Sequence, residues 1–387
     1  MRIIHIITRL IVGGAQENTI LTCEELAARG HEVHLFAGPT TGPEGSLVDR
    51  ARRGAYRYEE FPDLVREIHP LRDYRALRRL RSRIESLRPD VVHTHSSKAG
   101  ILGRIAAHQA GTAVIVHTIH GMSFNRTQMW PVRATYAAAE RFCARRCHAI
   151  VSVADEMTRQ ALAAGVGRPE QFVTIRSGMV VADFDPSQLH SEESRREFGL
   201  PAQRPPVLVA TVARLFKNKG YEELIAIMER AIAAEPGLHF VWVGDGSERA
   251  HYEAELRRRG LRDRVTLTGL VSPADMPRLL AGIDILLHTS RWEGLPRAVV
   301  QSLLMEKPAV SFAIDGAPEV IVPGQTGFTA PLDDLEGMAR AVVDLARDPE
   351  LRRRLGRAGR ERCLIEFRHD RMVDELETLY HRLQKRA

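Results

Sequence analysis

The sequence predicts an α/β protein built from two tandem doubly wound domains, each a parallel sheet with helices on both faces. Three observations carry this. Short β-branched runs alternate with amphipathic stretches along nearly the whole chain. The strand candidates are almost continuously apolar, as strands buried on both faces are. The alternation breaks once, over residues 179–205, and then restarts. A chain of 387 residues is long enough for about two to three domains. Its 44% hydrophobic and 27% charged residues are ordinary for a soluble globular protein and exclude disordered, collagenous and coiled-coil classes.

In the first half the strand candidates are Ile3–Thr8, Glu32–Ala37, Val91–Thr94, Ala113–Ile119, Ile150–Val153 and Phe172–Ile175. Helical stretches such as Gln16–Arg29, Tyr74–Arg88 and Lys98–Gly111 fall between them. The apolar start Met1–Ile7 is too short for a signal-peptide core and reads as the first strand. No apolar run approaches the 18 or so residues of a membrane span. Residues 184–205, with Asp185-Pro186, a charged run Glu192–Glu197, Pro201 and Pro205, and with Pro206 following directly, read as an interdomain linker between domains at 1–183 and 206–368. The second half offers strands Val207–Val212, His239–Val243, Val265–Thr268, Ile283–His288 and Ala309–Phe312, then a helical, Arg-rich segment Pro349–Lys385.

The four cysteines, Cys23, Cys143, Cys147 and Cys363, form no C-x-x-C pair and no zinc spacing, which fits a reducing compartment. On a helix, Cys143 and Cys147 would share a face. The net charge is +6, and all of it lies in the first half: residues 1–188 carry 25 basic and 19 acidic residues, residues 189–387 carry 30 of each. Only five of the 55 basic residues are Lys, so Lys217 and Lys219, two apart, stand out.

Ligands of open α/β sheets bind beyond the carboxyl ends of the strands, so the residues there are the candidates. Gly13-Gly14 follows the first strand and opens a helix, where backbone amides can meet a ligand. It is not G-x-G-x-x-G, and no acid ends the second strand, which weighs against a dinucleotide oxidoreductase. His93, His95, His117 and His120 cluster at two strand ends. With no carboxylate or Cys at ligand spacing, they read as structural histidines rather than a metal site, with His120 as a polar site residue before Gly121. Arg214-Leu215-Phe216-Lys217-Asn218-Lys219-Gly220 places basic groups at a helix start, a pyrophosphate clamp. Gly244-Asp245-Gly246 and Gly269-Leu270 are turns after the next strands. Glu293-Gly294-Leu295-Pro296 puts an acid just outside a helix, suited to accept from sugar hydroxyls, with Pro296 in the first turn. Asp315-Gly316 opens a further strand-to-helix turn.

Taken in order, Gly13-Gly14-Ala15, His120-Gly121, Arg214 to Gly220, Val243-Gly244-Asp245-Gly246 and Glu293-Gly294-Leu295-Pro296 resemble the signatures of the retaining family-four glycosyltransferases of GT-B fold, over nearly the whole chain. The resemblance implies two Rossmann-like domains facing a cleft, the first binding an acceptor and the second a nucleotide-diphosphate sugar, with residues 369–387 forming a helix that returns to the first domain. It implies that Arg214 and Lys219 hold the diphosphate, and that Glu293 and His120 contact the donor sugar. Gly13, Gly14, Gly244, Asp245, Gly246, Gly294, Leu295 and Pro296 would line the donor, and Gly269 and Leu270 would meet the base. No bound cofactor and no metal are implied. Two departures stand out: Gln301 replaces the second Glu that usually accepts from the ribose, and Ser177-Gly178-Met179-Val180 replaces an Asn-Gly-Val-Asp turn.

For the acceptor, the Leu64–Arg88 stretch with eight Arg against three acids, and a helix Arg133–Arg146 with apolar Tyr136, Ala137 and Phe142, offer a face for an anionic membrane and a lipid-linked or glycan acceptor. The expected location is cytoplasmic, peripheral on the inner membrane face. Nucleic acid is not expected, because no binding motif accompanies the charge. The competing readings are a nucleotide-sugar epimerase on the same fold and a non-catalytic nucleotide-sugar-binding paralogue.

Overall fold

The computed structural model describes residues 1–41, 45–125, 128–201 and 207–386. The chain divides into two compact units, one of Met1–Met179 with the segment from His369 onward, the other Val180–Arg368.

Among the described residues the first unit holds seven strands: β1 (Arg2–Ile7), β2 (Glu32–Ala37), β3 (Arg57–Glu60), β4 (Val91–His95), β5 (Val114–Ile119), β6 (Ala149–Ser152) and β7 (Phe172–Thr174). Every neighbouring pair is parallel, in the order β3-β2-β1-β4-β5-β6-β7. The order turns back between β1 and β4, which makes their carboxyl ends the switch point. On one face, Ile3, Ile7, Val33, Leu35, Val91 and Val116 pack with Ile20 and Leu26 of helix Gly14–Ala28 and with Val373, Leu376 and Tyr380 of helix His369–Gln384. On the other face lies helix Ser97–Gln109, its Gly103 against Ile6 and Thr94. Helices Pro70–Leu87 and Trp130–Ala144 flank it.

The second unit holds β8 (Val207–Val212), β9 (Leu238–Val243), β10 (Val265–Gly269), β11 (Ile285–His288), β12 (Ala309–Phe312) and β13 (Gly327–Ala330). All pairs are again parallel, in the order β10-β9-β8-β11-β12-β13, with the switch point between β8 and β11. Helices Tyr221–Ala234 and Leu335–Arg347 lie together against this sheet and close a core around Phe240, Trp242 and Phe312.

Three expectations change and one holds. β3 and β13 are additional strands. Both are sheet edges: β3 reads Arg-Tyr-Glu-Glu and β13 opens on Gly, so neither has the apolar run of a central strand. The expected linker is built structure within the second unit. It carries 3-10 turns at Val181–Asp183 and Pro186–Gln188 and a helix Ser191–Glu197. Arg195 of that helix is buried and donates to Asp284 Oδ2 at 2.8 Å and to the Gly282 carbonyl at 2.9 Å, so its charge serves an internal contact rather than solvent. Pro205 and Pro206 lie outside the described residues. The last segment is two helices, Pro349–Glu366 in the second unit and His369–Gln384 in the first, which agrees with the returning helix expected at 369–387. Helix Trp130–Ala144 ends before Cys147, so Cys143 and Cys147 share no helix; all four cysteines are free and buried.

Candidate active site

In the second unit, the loops after β8 and β11 are stitched together at the switch point. The Arg291 amide donates to the Asn218 carbonyl (3.1 Å), and the Thr289 hydroxyl donates to the Lys219 carbonyl (3.2 Å). Gly220 makes this approach possible. Its φ is +71°, and a Cβ there would lie 1.9 Å from the Thr289 carbonyl oxygen. The stitching sets Lys219 Nζ 2.5 Å from Glu293 Oε1, to which the Ser290 hydroxyl also donates (2.7 Å). His288 Nε2 stands 3.6 Å from the same oxygen. The Glu293 amide is held by Asp315 Oδ2 at 2.7 Å, and Asp315 adopts a left-handed φ of +48° to reach it.

Burial alone would raise the Glu293 carboxyl. The Lys219 ammonium, the neighbouring His288 and the two hydrogen bonds more than reverse this and hold it below its ordinary range. Burial keeps His288 neutral, pushed down to about 4. Glu293 is therefore a fixed carboxylate beside a fixed ammonium, with the Arg214 guanidinium 4.9 Å from the Phe216 ring in the same loop. Lys217, by contrast, is exposed. A carboxylate that accepts from hydroxyls next to cations that meet phosphate suits a sugar diphosphate.

The other predicted residues sort themselves. Gly244 and Gly246 are needed by the chain itself: a Cβ on either would strike the carbonyl of Ala213 or Leu215 at 2.2 or 2.5 Å. Asp245 accepts from the Gly246 amide and from Arg249 (2.8 Å each). The Gly269 carbonyl already accepts from the Gly244 amide and the Thr268 hydroxyl, which leaves exposed Leu270 as the open member of that pair. Gly294 accepts from the Gly316 amide (2.9 Å), and Leu295 is buried. Pro296 is the N-cap of helix Arg297–Leu304 rather than within its first turn, because its ψ of 94° is extended. Gln301 is half-buried on that helix.

In the first unit, Gly13 caps helix Gly14–Ala28 without a side-chain partner, so that helix presents amides at the switch point. The hydroxyls of Thr8 and Ser96 bond at 2.7 Å and tie the ends of β1 and β4. The expected structural histidines are confirmed as hydrogen-bonded core groups. His93 bonds Tyr380 (2.5 Å) and Thr118 (2.7 Å), and His117 bonds Thr94 (2.9 Å). His120 Nε2 meets His95 Nδ1 at 3.0 Å. His5, which the sequence did not single out, joins them. His5, His93 and His95 place one ring nitrogen each within 4.8 Å of one another, a spacing a metal ion could use. Yet every ring nitrogen of the three except His5 Nε2 already has a hydrogen-bond partner. Ser290 and Asp315 fall in segments the sequence marked but without a role for either residue, and His288 was read only as the end of a strand.

Residues 13–178 match the model of a glycosyl transferase 4-like domain, and residues 191–362 that of glycosyl transferases group 1. The chain is 27% identical over 388 residues to the UDP-Gal:alpha-D-GlcNAc-diphosphoundecaprenol alpha-1,3-galactosyltransferase of Escherichia coli, covering 98% of this chain and 96% of that one. It is 27% identical to the 2-deoxystreptamine N-acetyl-D-glucosaminyltransferase of Streptomyces fradiae, covering 92% and 91%. Among solved structures, HepE of Anabaena in complex with UDP and glucose superposes with a TM-score of 0.83 at 22% identity, over 98% and 99% of the two chains. Two parallel sheets of one topology, a cation–carboxylate pair at the second switch point and these matches agree: the chain belongs to the glycosyl transferases group 1 family, a glycosyltransferase of GT-B fold that works from a nucleotide-sugar donor.

Proposed function

We propose that the protein is a retaining, metal-independent hexosyltransferase that moves the sugar of a UDP-hexose to a hydroxyl of a lipid-linked glycan, at the cytoplasmic face of the membrane, in cell-envelope synthesis. The observation that carries this reading is the Lys219–Glu293 pair at the switch point of the second unit. Glu293 accepts from hydroxyls of the donor sugar, while Lys219 and Arg214 meet the diphosphate. His120 contacts the sugar, and Gly13 and Gly14 present helix amides towards phosphate. In the transfer step the bond from the anomeric carbon to the β-phosphate oxygen breaks and its electrons stay on UDP. The acceptor oxygen bonds to the same face of that carbon and gives its proton to the departing phosphate. Charge grows on the diphosphate as this happens, so cations fixed beside it lower the barrier without a divalent ion. The galactosyltransferase relative, which spans nearly the whole chain and acts on a diphosphoundecaprenol acceptor, supports the lipid-linked class.

The membrane reading rests on helix Pro70–Leu87. Leu71, Tyr74, Arg75 and Arg78 are all exposed and recur at i, i+3, i+4 and i+7, so they share one face. In the same unit, Met129, Trp130 and Val132 are exposed at the start of helix Trp130–Ala144. They replace Ala137, which is buried, as the apolar part of the expected surface; exposed Phe142 lies under the Arg146 guanidinium at 3.4 Å. Basic side chains among exposed aromatic and aliphatic ones suit the boundary of an anionic bilayer. Among the described residues no helix is long and apolar enough to cross a membrane.

The test is a thermal-shift panel of UDP-, GDP- and dTDP-sugars, since a bound donor raises Tm by mass action. It is followed by transfer assays with polyprenyl-diphosphate glycans, with and without EDTA. The reading expects a UDP-hexose to give the largest shift, turnover to persist in EDTA, and the product to keep the donor's anomeric configuration by NMR. Loss of turnover in EDTA or an inverted product would overturn the corresponding part.

A further inference from the structure

A line of buried imidazoles runs through the core of the first unit. His5 Nδ1 lies 3.0 Å from His95 Nε2, and His95 Nδ1 lies 3.0 Å from His120 Nε2. The strand register creates this line: His5 pairs with His93 across β1 and β4, and His95 follows two residues on, so all three project from one face. His5 and His95 are almost entirely sealed from solvent. Burial pushes His5 down to about 3 and His95 well below its ordinary value, so both rings are neutral at physiological pH.

A neutral imidazole carries one N–H and one bare nitrogen. His95 can therefore donate to only one of its two neighbours and must accept from the other, so the line has a single polarity. The far end decides which. Among the described residues, no group hydrogen-bonds the buried His5 Nε2. If the line ran from His120 inward, His5 would accept at Nδ1 and carry its proton on Nε2, burying an N–H with no acceptor. Such orphaned donors are among the rarest features of protein interiors, and an unshared lone pair is the smaller penalty. The tilted stacking of His93 on His95, with centroids 4.3 Å apart, and the two hydroxyls that clamp His93 hold the middle ring in place.

We infer that the line runs outward, from His5 through His95 to His120, and that it fixes His120 as the Nδ1–H tautomer, with His5 and His95 as positioning residues. The single N–H of His120 is then at Nδ1, and a sugar oxygen contacting that nitrogen has to accept. This consequence for transfer rests on the proposed role of His120, whereas the tautomer does not.

The experiment is NMR of the full chain with selectively 15N-labelled histidine at neutral pH, with His120→Ala to assign the ring and the two-bond N–H couplings to read the tautomer. The wild type should show His120 protonated at Nδ1. His95→Phe should give a mixed or reversed tautomer. His95→Asn, whose amide nitrogen can donate from the place of Nδ1, should restore it. A wild-type His120 protonated at Nε2 overturns the inference without any variant having to fold, as does an Nδ1–H signal unmoved in both His95→Phe and His5→Phe. In transfer assays His95→Phe should lower kcat about ten- to hundred-fold, as the loss of an orienting partner does elsewhere, with donor KM little changed and most of the loss recovered in His95→Asn. Full activity of His120→Ala would remove His120 from the transfer step and leave the tautomer to be judged by NMR alone.

Discussion

Lys219 and Glu293 are 74 positions apart in sequence and meet on one carboxylate oxygen. Removing either leaves the other charge largely buried and unpaired. Lys219→Ala and Glu293→Ala are each expected to lower kcat/KM by about 10²–10³-fold, the scale of losing one preorganised charge-stabilising group, with circular dichroism unchanged; near wild-type turnover in both would show that the pair has no part in transfer. Gly220 supports a second prediction. Alanine there would sit in left-handed backbone against the Thr289 carbonyl, and Gly220→Ala should cost at least about 2 kcal/mol of stability in denaturant titration. The sequence showed Lys219, because lysine is scarce in this chain, and Glu293, because Gly and Pro follow it. It could not show that they pair, or that Ser290 and Asp315 hold Glu293, since those contacts depend on loops joined only by the fold. For Gly244 and Gly246 the glycines were legible and their reason was not: the carbonyls they clear belong to the chain itself.

Central strands were legible to within one or two residues because burial on both faces makes them apolar throughout. The edge strands β3 and β13 were not, since they carry Arg and Glu or open on Gly, whereas the other two edges, β7 and β10, keep β-branched runs and were read. Helix Ser191–Glu197 was read as linker because short charged segments are usually solvated; here Arg195 is spent on a buried partner instead. Arg195→Ala should destabilise the second unit by about 3–5 kcal/mol, because it removes the buried guanidinium that faces the Asp284 carboxylate. Arg195→Met, which keeps much of the volume, should lose nearly as much, and urea melts would separate this pair from a surface pair. On helix Pro70–Leu87, the double change Arg75→Glu with Arg78→Glu should abolish co-sedimentation with phosphatidylglycerol vesicles. Each basic residue near such a surface is worth about 1 kcal/mol. Thermal shift with the soluble donor should be unaltered, and unchanged vesicle binding would count against this face.

Across the whole molecule, a set of buried neutral histidines ties stability to pH. His5, His93, His95 and His117 in the first unit and His288 in the second all have their titration pushed down by burial. Below the ordinary histidine range the unfolded chain takes up protons that the folded chain refuses, so stability must fall as pH drops from about 6.5. Each such group contributes a slope of up to about 1.4 kcal/mol per pH unit until its own folded titration point is reached. Glu293 adds a later loss of the same sign, because its depressed folded titration contributes stability that disappears as pH falls through it. Thermal melts from pH 7.5 to 4.5 should show a steep decline, shallower in His5→Phe; a Tm flat to pH 5 would contradict the neutral core.

The assignment of the final helix to the first unit also governs the order in which the protein can mature. Met372, Val373, Leu376, Leu379 and Tyr380 close a core whose other buried members are made before Met179. During synthesis that core waits while the 189 residues Val180–Arg368 are added, about 10–40 s at typical elongation rates of 5–20 residues per second. Throughout that interval the nascent first unit has an uncovered apolar face, available to chaperones, while the second unit can already complete itself. A helix made only after the whole second unit is thus what completes the domain begun before it.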